Sequence, residues 1–401
     1  MEPLSGKNII LGVSGGIACY KSVEIMRLLQ RAGAEVRVVM TRNAAEFVAP
    51  LTFEAISGHP VFTDMFLSGS GDAMRHISWA ENADAAVIAP ATGNIIGKLA
   101  NGIADDALTT LMLAVTAPKL ICPAMNTHMY ENRAVQRNID GLEKDGYIIV
   151  EPGEGELACK AVGPGRLADP ERIFNFIIDV FLPKDYFGKH VVVTAGPTRE
   201  PMDPVRFISN PSSGKMGYAV ARAAAGRGAH VILVSGPVSL DPPAGVHKVQ
   251  VSTTQEMAEA VFAEAENADV IIKVAAVSDY RPTEAAPHKV KKDSETLSLK
   301  FEKTTDILAE LAGRKKTGQI LVGFAAETRD LEQNAAKKLA AKKLDLIAAN
   351  LVGGDDSGFE TDTNRLRLFY KNGTSEELPL MDKEEAAHLL LDRIVALGGQ
   401  A

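Results

Sequence analysis

The sequence predicts two fused α/β domains, each a Rossmann-like, three-layer stack of helices about a mainly parallel sheet. Three observations predict it. A strand–turn–helix–strand plan occurs twice, from Asn8 to Val39 and from Val191 to Val234. Each time, an apolar β-branched run breaks at a glycine-containing turn, a helical stretch follows, and a Gly-Ala pair precedes the next apolar run. The length, 401 residues, favours more than one domain. Apolar runs then alternate with helical stretches through both halves.

Composition sets the class. Hydrophobic residues make up 46% and charged residues 23%, the mix of an ordinary globular protein. A net charge of −8 argues against nucleic-acid binding. The first residues lack the basic and apolar regions of a signal peptide. The longest apolar stretch, Leu108 to Met125, is broken by Pro118 and Lys119, so no membrane span is expected. Cys19, Cys122 and Cys159 are too far apart for a disulfide framework or a metal cluster. A cytoplasmic protein is the expectation.

The first half opens with a strand, Asn8–Val13, the turn Ser14-Gly15-Gly16 and a helix, Ile17–Gln30. N–H groups at such a helix start favour a phosphate, although a plain tight turn has the same pattern. The turn is not G-x-G-x-x-G, and the next strand ends in Met40-Thr41-Arg42 with no acid for a ribose. That opposes NAD and suits a phosphate without adenosine ribose, as in FMN. Two short helices flank Pro50 between Asn43 and Ser57, and a polar loop follows at Ser68–Asp72. His76 is placed in a polar loop, as a structural hydrogen-bonder or as an acid–base group. A buried strand from Ala83 reaches Pro90, Ala91 and Thr92. There Thr92, Gly93 and Asn94 either cap the next helix or contact a ring system. Asp105 is expected to cap a helix over Asp106–Val115. The strand Lys119–Cys122 ends in a loop with Met125 and Asn126. Asn126 is a plain turn residue or a holder of a carboxylate or amide. A helix over Glu131–Lys144 and a strand over Tyr147–Val150 follow. Glu151–Arg166 reads as a long loop, often a lid, with Cys159 reactive or inert. A helix over Asp169–Val180 closes the first domain, 1–186. The second is 187–401, with the junction within Phe181–Gly188.

In the second half the strand from Val191 ends at Gly196-Pro197. A loop over Asp203–Lys215 brings Arg206, Asn210, Ser212, Ser213 and Lys215 together as a phosphate-binding set that is not a Walker A motif. A helix, Tyr218–Arg227, and a strand, Val231–Val234, follow with no ribose-binding acid. The amphipathic helix Thr253–Glu266 leads to a strand, Ala268–Val274, and to Ala276 and Asp279. Asp279 is a turn cap or a ligand of ribose, base or Mg2+. Lys289 opens a lysine run that reads by default as a solvated face. Thr305 or Asp306 caps a helix that continues through Ile307 and Leu308. Phe324 ends the strand from Ile320, as core or as a base-stacking ring. Lys338 and Lys342 lie four apart on the helix Asn334–Lys343, a spacing that suits a triphosphate and equally a plain surface. The strand Asp345–Asn350, a hairpin-like Arg365–Tyr370 and the helix Glu384–Leu397 complete the chain.

The stretches Val13–Ala18, Ala89–Asn94 and Pro123–Met129, with His76 and the Cys159 loop, resemble the flavin-dependent cysteine decarboxylases. The stretch S-N-P-S-S-G-K-M-G at Ser209–Gly217 resembles phosphopantothenate–cysteine ligases. The order and length of the whole chain are similar to the bacterial bifunctional family that joins both activities in coenzyme A biosynthesis. The resemblance implies a flavodoxin-like first domain. It implies FMN held by Ser14, Gly15, Gly16, Thr41, Pro90, Ala91, Thr92, Asn94 and Met125. His76 would assist oxidation of 4′-phosphopantothenoylcysteine, Asn126 would hold its carboxylate, and Cys159 would supply a proton. For the second domain it implies CTP with Mg2+, 4′-phosphopantothenate and cysteine, coupled through an acyl-cytidylate. Asn210 would lie over the mixed anhydride with Arg206 near, and Lys289 would stabilise its charge. Ala276, Asp279, Thr305, Asp306, Ile307, Leu308, Phe324, Lys338 and Lys342 would meet the nucleotide. Trimers of the flavin domain and dimers of the ligase domain are implied as well. One departure from the family pattern is Tyr130, where tryptophan is common. Two alternatives stand beside this reading: a flavin decarboxylase or reductase of another thiol with a non-catalytic second domain, and a dinucleotide-binding regulatory module.

Overall fold

The computed structural model describes residues 3–66, 74–156, 162–290, 298–327, 331–351 and 361–398. The chain divides into two compact units, Met1–Leu182 and Pro183–Ala401.

In the first unit, β1 (Asn8–Val13), β2 (Glu35–Met40), β3 (Ala85–Ala91), β4 (Lys119–Pro123) and β5 (Ile148–Ile149) form a parallel sheet ordered β2-β1-β3-β4-β5. That is the flavodoxin-like order. Every residue of β3 is buried, as a strand covered on both faces requires. Its helices are α1 (Cys19–Arg31), α2 (Arg42–Ala45), α3 (Pro50–Ser57), α4 (Arg75–Glu81), α5 (Gly93–Ala100), α6 (Ala107–Ala114), α7 (Thr127–Tyr130), α8 (Arg133–Lys144) and α9 (Pro170–Phe181). Alternate strand residues feed two cores. Leu11, Val13 and Val87 pack with Ile25 and Leu29 of α1 and Ile173 of α9. Ile10, Ile88 and Ile121 pack with Ile95 of α5, Leu108 of α6 and Leu142 of α8.

Several sequence expectations change here. The predicted loop over 151–166 contains an antiparallel pair, β6 (Gly153–Glu156) with β7 (Val162–Arg166). The run is polar because a two-stranded ribbon has no core face to fill. Asp106, not Asp105, caps α6. Its carboxylate accepts from Thr109 N–H at 2.8 Å, while Asp105 pairs with Lys98 at 2.6 Å. His76 is the second residue of α4, not part of a loop. Cys159 and the Ser68–Asp72 loop lie outside the described residues.

The second unit holds an eight-stranded sheet. Its strands are β8 (His190–Ala195), β11 (His230–Ser235), β12 (Val246–Gln250), β13 (Val270–Lys273), β16 (Ile320–Glu327), β17 (Leu346–Leu351), β19 (Leu366–Tyr370) and β20 (Ser375–Glu377). The order is β12-β11-β8-β13-β16-β17-β19-β20. The first six run parallel, with β19 and β20 added antiparallel at one edge. Counted along the chain, this is the doubly wound 3-2-1-4-5-6 order. Four short antiparallel pairings decorate it, two of them β9 (Arg199–Pro201) with β10 (Phe207–Ser209) and β14 (Tyr280–Pro282) with β15 (Phe301–Lys303). Another is β18 (Thr363–Asn364) with β21 (Met381–Asp382), and the β19–β20 pairing, the fourth, belongs to the edge of the sheet rather than standing apart from it. Strand β12 and both hairpins around Arg199 and Tyr280 escape the sequence, since neither run alternates cleanly. The helices are α10 (Lys215–Gly226), α11 (Thr254–Ala265), α12 (Ile307–Arg314), α13 (Leu331–Ala341) and α14 (Lys383–Gly398). Val191 and Val193 face α10 and α14, while Val192 faces α11 and α12.

A buried cation ties the start of this unit to its end. The Arg227 side chain is 2% exposed. It donates to both oxygens of Asp185 at 2.8 and 2.5 Å, to the His388 carbonyl at 3.1 Å, and pairs with Asp392 at 2.7 Å. Its guanidinium lies 5.2 Å over the Tyr186 ring, whose hydroxyl donates to the Leu391 carbonyl. Replacing Arg227 by Met leaves two acids facing an apolar hole. The expected loss of stability in this unit is about 3 kcal/mol, the low end for a broken buried pair because both acids stay partly solvated. Urea unfolding followed by Tyr fluorescence and circular dichroism checks it, and a loss below about 1 kcal/mol would contradict the assignment.

Candidate functional sites

In a parallel sheet, neighbouring crossovers diverge where strand order reverses, and a crevice opens at the carboxyl ends. Each unit has one such reversal, and each has a cleft there.

The first cleft, about 960 Å³, lies outside β1 and β3. Ser14, Gly15, Gly16, Thr41, Thr92, Asn94, Met125 and Asn126 all line it. Ser14 clamps the two strand ends. Its N–H and hydroxyl reach the Pro90 carbonyl at 3.3 and 2.8 Å, and its Oγ accepts from Thr92 N–H at 3.0 Å. Pro90 and Ala91 therefore act behind the wall through backbone. No side chain caps α1; the Cys19 and Lys21 N–H groups donate to the Gly16 and Ala18 carbonyls, both at 3.0 Å, and the Gly15–Ala18 turn before them lines the cleft. A side chain at Gly15 would meet the Asn43 Cβ at 2.4 Å, so the turn admits none. Thr41 caps α2 through its hydroxyl. Thr92 occupies the N-cap of α5 without a side-chain cap bond. The floor is apolar, with Ala18, Ile95, Ala124 and Met125. Arg42, Lys98 and Arg166 supply positive charge. Uncapped amides with arginine at one end and an apolar floor beyond suit a phosphorylated, flat, largely apolar ring system.

Asn126 is the N-cap of α7, its Oδ1 accepting from His128 N–H at 2.9 Å. The ribbon's second strand docks beside it. Met125 N–H donates to the Gly165 carbonyl at 2.9 Å. Gly165 has φ +128°, and a Cβ there would lie 2.3 Å from the Met125 oxygen. His76 is half-buried on α4, which packs on α6, and is not among the residues lining the cleft.

The second cleft, about 600 Å³, lies outside β8 and β13. Asn210, Ala276, Asp279, Thr305, Asp306, Ile307, Leu308, Phe324, Lys338 and Lys342 line it. Asn210 Nδ2 donates to the Ala276 and Val277 carbonyls, both at 3.2 Å. Of the two capping candidates, Asp306 caps α12, accepting from Ala309 N–H, and it also pairs with Lys342 at 3.0 Å. Lys342 and the Ala309 N–H hold the Asp306 carboxyl below its usual range against the opposing effect of burial. Arg206 and Lys289 are not among the lining residues. The Arg206 guanidinium instead grips Asp203.

Sequence reading missed Lys273 and Asn350. Lys273 ends β13 and Asn350 is the last but one residue of β17; a polar residue late in an apolar strand was the available signal. Lys273 lines the cleft. Burial, then repulsion from Lys338 and Lys342, pushes its ammonium down to about 8. Asn350 donates to Asn364 Oδ1 at 2.8 Å, while its own Oδ1 is buried without a partner among the described residues. Lysines with Asn and Asp acceptors suit a polyphosphate joined to a polar body. Among the described residues, no group of three or more His, Cys, Asp or Glu could hold a metal, and no helix is long and apolar enough to cross a membrane.

Comparisons agree with this division. A family model described as flavoprotein matches residues 1–182, and one described as DNA/pantothenate metabolism flavoprotein C-terminal domain matches 186–397. The coenzyme A biosynthesis bifunctional protein CoaBC of Bacillus subtilis (strain 168) is 52% identical, the match spanning 99% of this chain and 98% of that one. Its counterpart from Escherichia coli (strain K12) is 46% identical over 98% of this chain and 97% of that one. A crystal structure of the C-terminal domain of a CoaBC protein is 44% identical, covers 54% of this chain and all of that one, and has a TM-score of 0.47.

A polyanion in the second cleft favours the charged form of Lys273. Below about pH 8 the ammonium is already charged; above it, binding has to draw a proton in. Affinity for inorganic tripolyphosphate should therefore fall above pH 8, by up to about tenfold per pH unit. Calorimetry at pH 7 and 9 in buffers of different ionisation heat should show proton uptake only at the higher pH, and Lys273→Met should remove it.

Proposed function

The chain belongs to the family of coenzyme A biosynthesis bifunctional proteins, and from that premise we propose how its two clefts divide the work. It is a flavoprotein with decarboxylase and ligase activities. The first cleft takes FMN and decarboxylates 4′-phosphopantothenoylcysteine. The second takes CTP and joins 4′-phosphopantothenate to cysteine. The observation that carries this reading is the opposite chemistry of the two strand-reversal clefts: uncapped amides above an apolar floor in one, lysines with Asn and Asp acceptors in the other.

In the first cleft, bound FMN supplies acceptance and return of hydride, which no side chain can do. The chain's own residues do the rest. Amides of the Gly15–Ala18 turn hold the phosphate, and Arg42 adds charge. Asn126 orients the carboxylate of the cysteinyl group, and its donors lose their partner as CO2 departs. His76 moves the proton during oxidation, and Cys159 returns one during reduction. Since His76 lies on α4 away from the cleft wall, a second copy supplies it. Ile17, Tyr20 and Met129, each at least half exposed beside the cleft, form part of the surface that copy covers. The trimer-based assembly of the flavin domain provides this contact; the ligase domain pairs as a dimer.

In the second cleft, the 4′-phosphopantothenate carboxylate attacks the α-phosphorus of CTP and pyrophosphate leaves. The cysteine amine then attacks the acyl-cytidylate, an amide forms and CMP leaves. Lys338, Lys342 and Lys273 balance the triphosphate, with Mg2+ travelling on the nucleotide. The start of α12 and Asp279 hold the nucleoside, and Phe324 lies against it. Asn210, anchored on Ala276 and Val277, orients the acyl carbonyl. Lys289 adds positive charge where negative charge develops.

Single substitutions should separate the two reactions. Asn210→Asp is expected to lower CTP-dependent amide formation about a hundredfold and leave CO2 release from 4′-phosphopantothenoylcysteine unchanged. His76→Asn should do the reverse. CMP and CO2 are measured on folded, yellow protein, and loss of both products from either change would refute the assignment of clefts. CMP release without cysteine present would count against the amide step.

A further inference from the structure

The segment that carries Lys289 is fastened to the hairpin that carries Asn210. Between β9 and β10 the chain turns at Asp203, whose carboxylate is fully buried. One oxygen accepts from the N–H groups of Val205 and Arg206 at 2.9 and 2.8 Å. The other accepts from Arg206 Nε and Nη2 at 2.9 and 2.6 Å, and from Val290 N–H at 3.2 Å. Arg206 Nη2 also donates to the Val290 carbonyl at 3.0 Å. Both backbone groups of Val290 are therefore taken by one ion pair. A further bond, Ala286 N–H to the Met202 carbonyl at 2.9 Å, holds the segment upstream. At its far end the hairpin closes on Ser209, whose hydroxyl donates to the Thr198 carbonyl at 2.8 Å, and Asn210 is the next residue.

We propose that Asp203 is a positioning residue of the ligase reaction: with Arg206 it clips Val290, and so sets Lys289 at a fixed distance from the Asn210 hairpin. The proposal rests on the role given to Lys289 above. A lysine elsewhere on an exposed segment ranges widely, and its charge is diluted over that range; a clip at the neighbouring residue confines it. The ion pair suits the task because it does not titrate in the working range. The Arg206 guanidinium, with three backbone N–H groups, holds the Asp203 carboxyl far below the usual carboxylate range. Arg206, which the sequence places near the reacting anhydride, then acts through Lys289.

The test is a double-mutant cycle on the full chain, following pyrophosphate release from CTP with 4′-phosphopantothenate. Asp203→Asn keeps the shape but removes the charge. It should lower kcat about tenfold or more, with KM for CTP within about twofold of the parent and CO2 release unchanged. Val290→Pro, which deletes the N–H that Asp203 accepts but leaves the ion pair intact, should lower kcat in the same way. In a Lys289→Ala background, Asp203→Asn should cost less than about a further twofold, because there is nothing left to position. Multiplying losses in the double mutant would overturn the proposal, as would full kcat in both Asp203→Asn and Val290→Pro. Full activity in Lys289→Ala alone would instead sink the role of Lys289, a result separable from failure of the clip.

Discussion

Both halves of this chain depend on one constraint. A parallel sheet has to cover both faces with crossovers, and where the strand order reverses, those crossovers leave in opposite directions. The carboxyl ends of β1 and β3, and of β8 and β13, are the places where no crossover can lie. Backbone groups and helix starts are exposed there by topology, before any side chain is chosen. What the sequence adds is the lining. At Ser14–Ala18 it adds glycines and small residues, so that amides are the donors. At Lys273, Lys338 and Lys342 it adds ammonium groups to a chain whose overall charge is −8. Local charge, not net charge, decides which ligand each cleft can hold.

Polar groups at these reversals are supported in different ways. Ser14 is held from both strand ends, so the Ser14–Gly16 turn is fastened to the sheet. Asn210 is held through its own amide by two carbonyls at the end of β13. The Met125–Asn126 loop is fixed by backbone contact with the docked ribbon strand at Gly165. In each case a residue of the cleft is oriented by backbone groups at or just beyond a strand end.

The sheets and most helices were legible because parallel strands are unbroken apolar runs and the long helices carry regular apolar spacing. Asn8–Val13 and Lys119–Cys122 are of this kind. The short antiparallel pieces were not. Arg199–Pro201 pairs with Phe207–Ser209 over three residues each, too few to show alternation. The ribbon over 153–166 looked like a loop because its glycines and glutamates have no core to face. Cleft-lining residues on motif turns, such as Ser14, Asn126 and Asn210, stood out by composition at strand ends. Lys273 and Asn350 were hidden, since each is one polar residue at or near the end of an apolar strand. Nor could spacing reveal that Arg206 turns to Asp203 and away from the cleft, a choice made in three dimensions.

Among the described residues each unit has two apolar cores, each drawn from one side of the Leu182–Pro183 boundary. The polar ties follow the same division: Asp185, Tyr186 and Arg227 close the second unit upon itself directly after the boundary. A gene encoding this protein can be split at that point, or its halves recombined with those of a relative, without asking either core to be rebuilt.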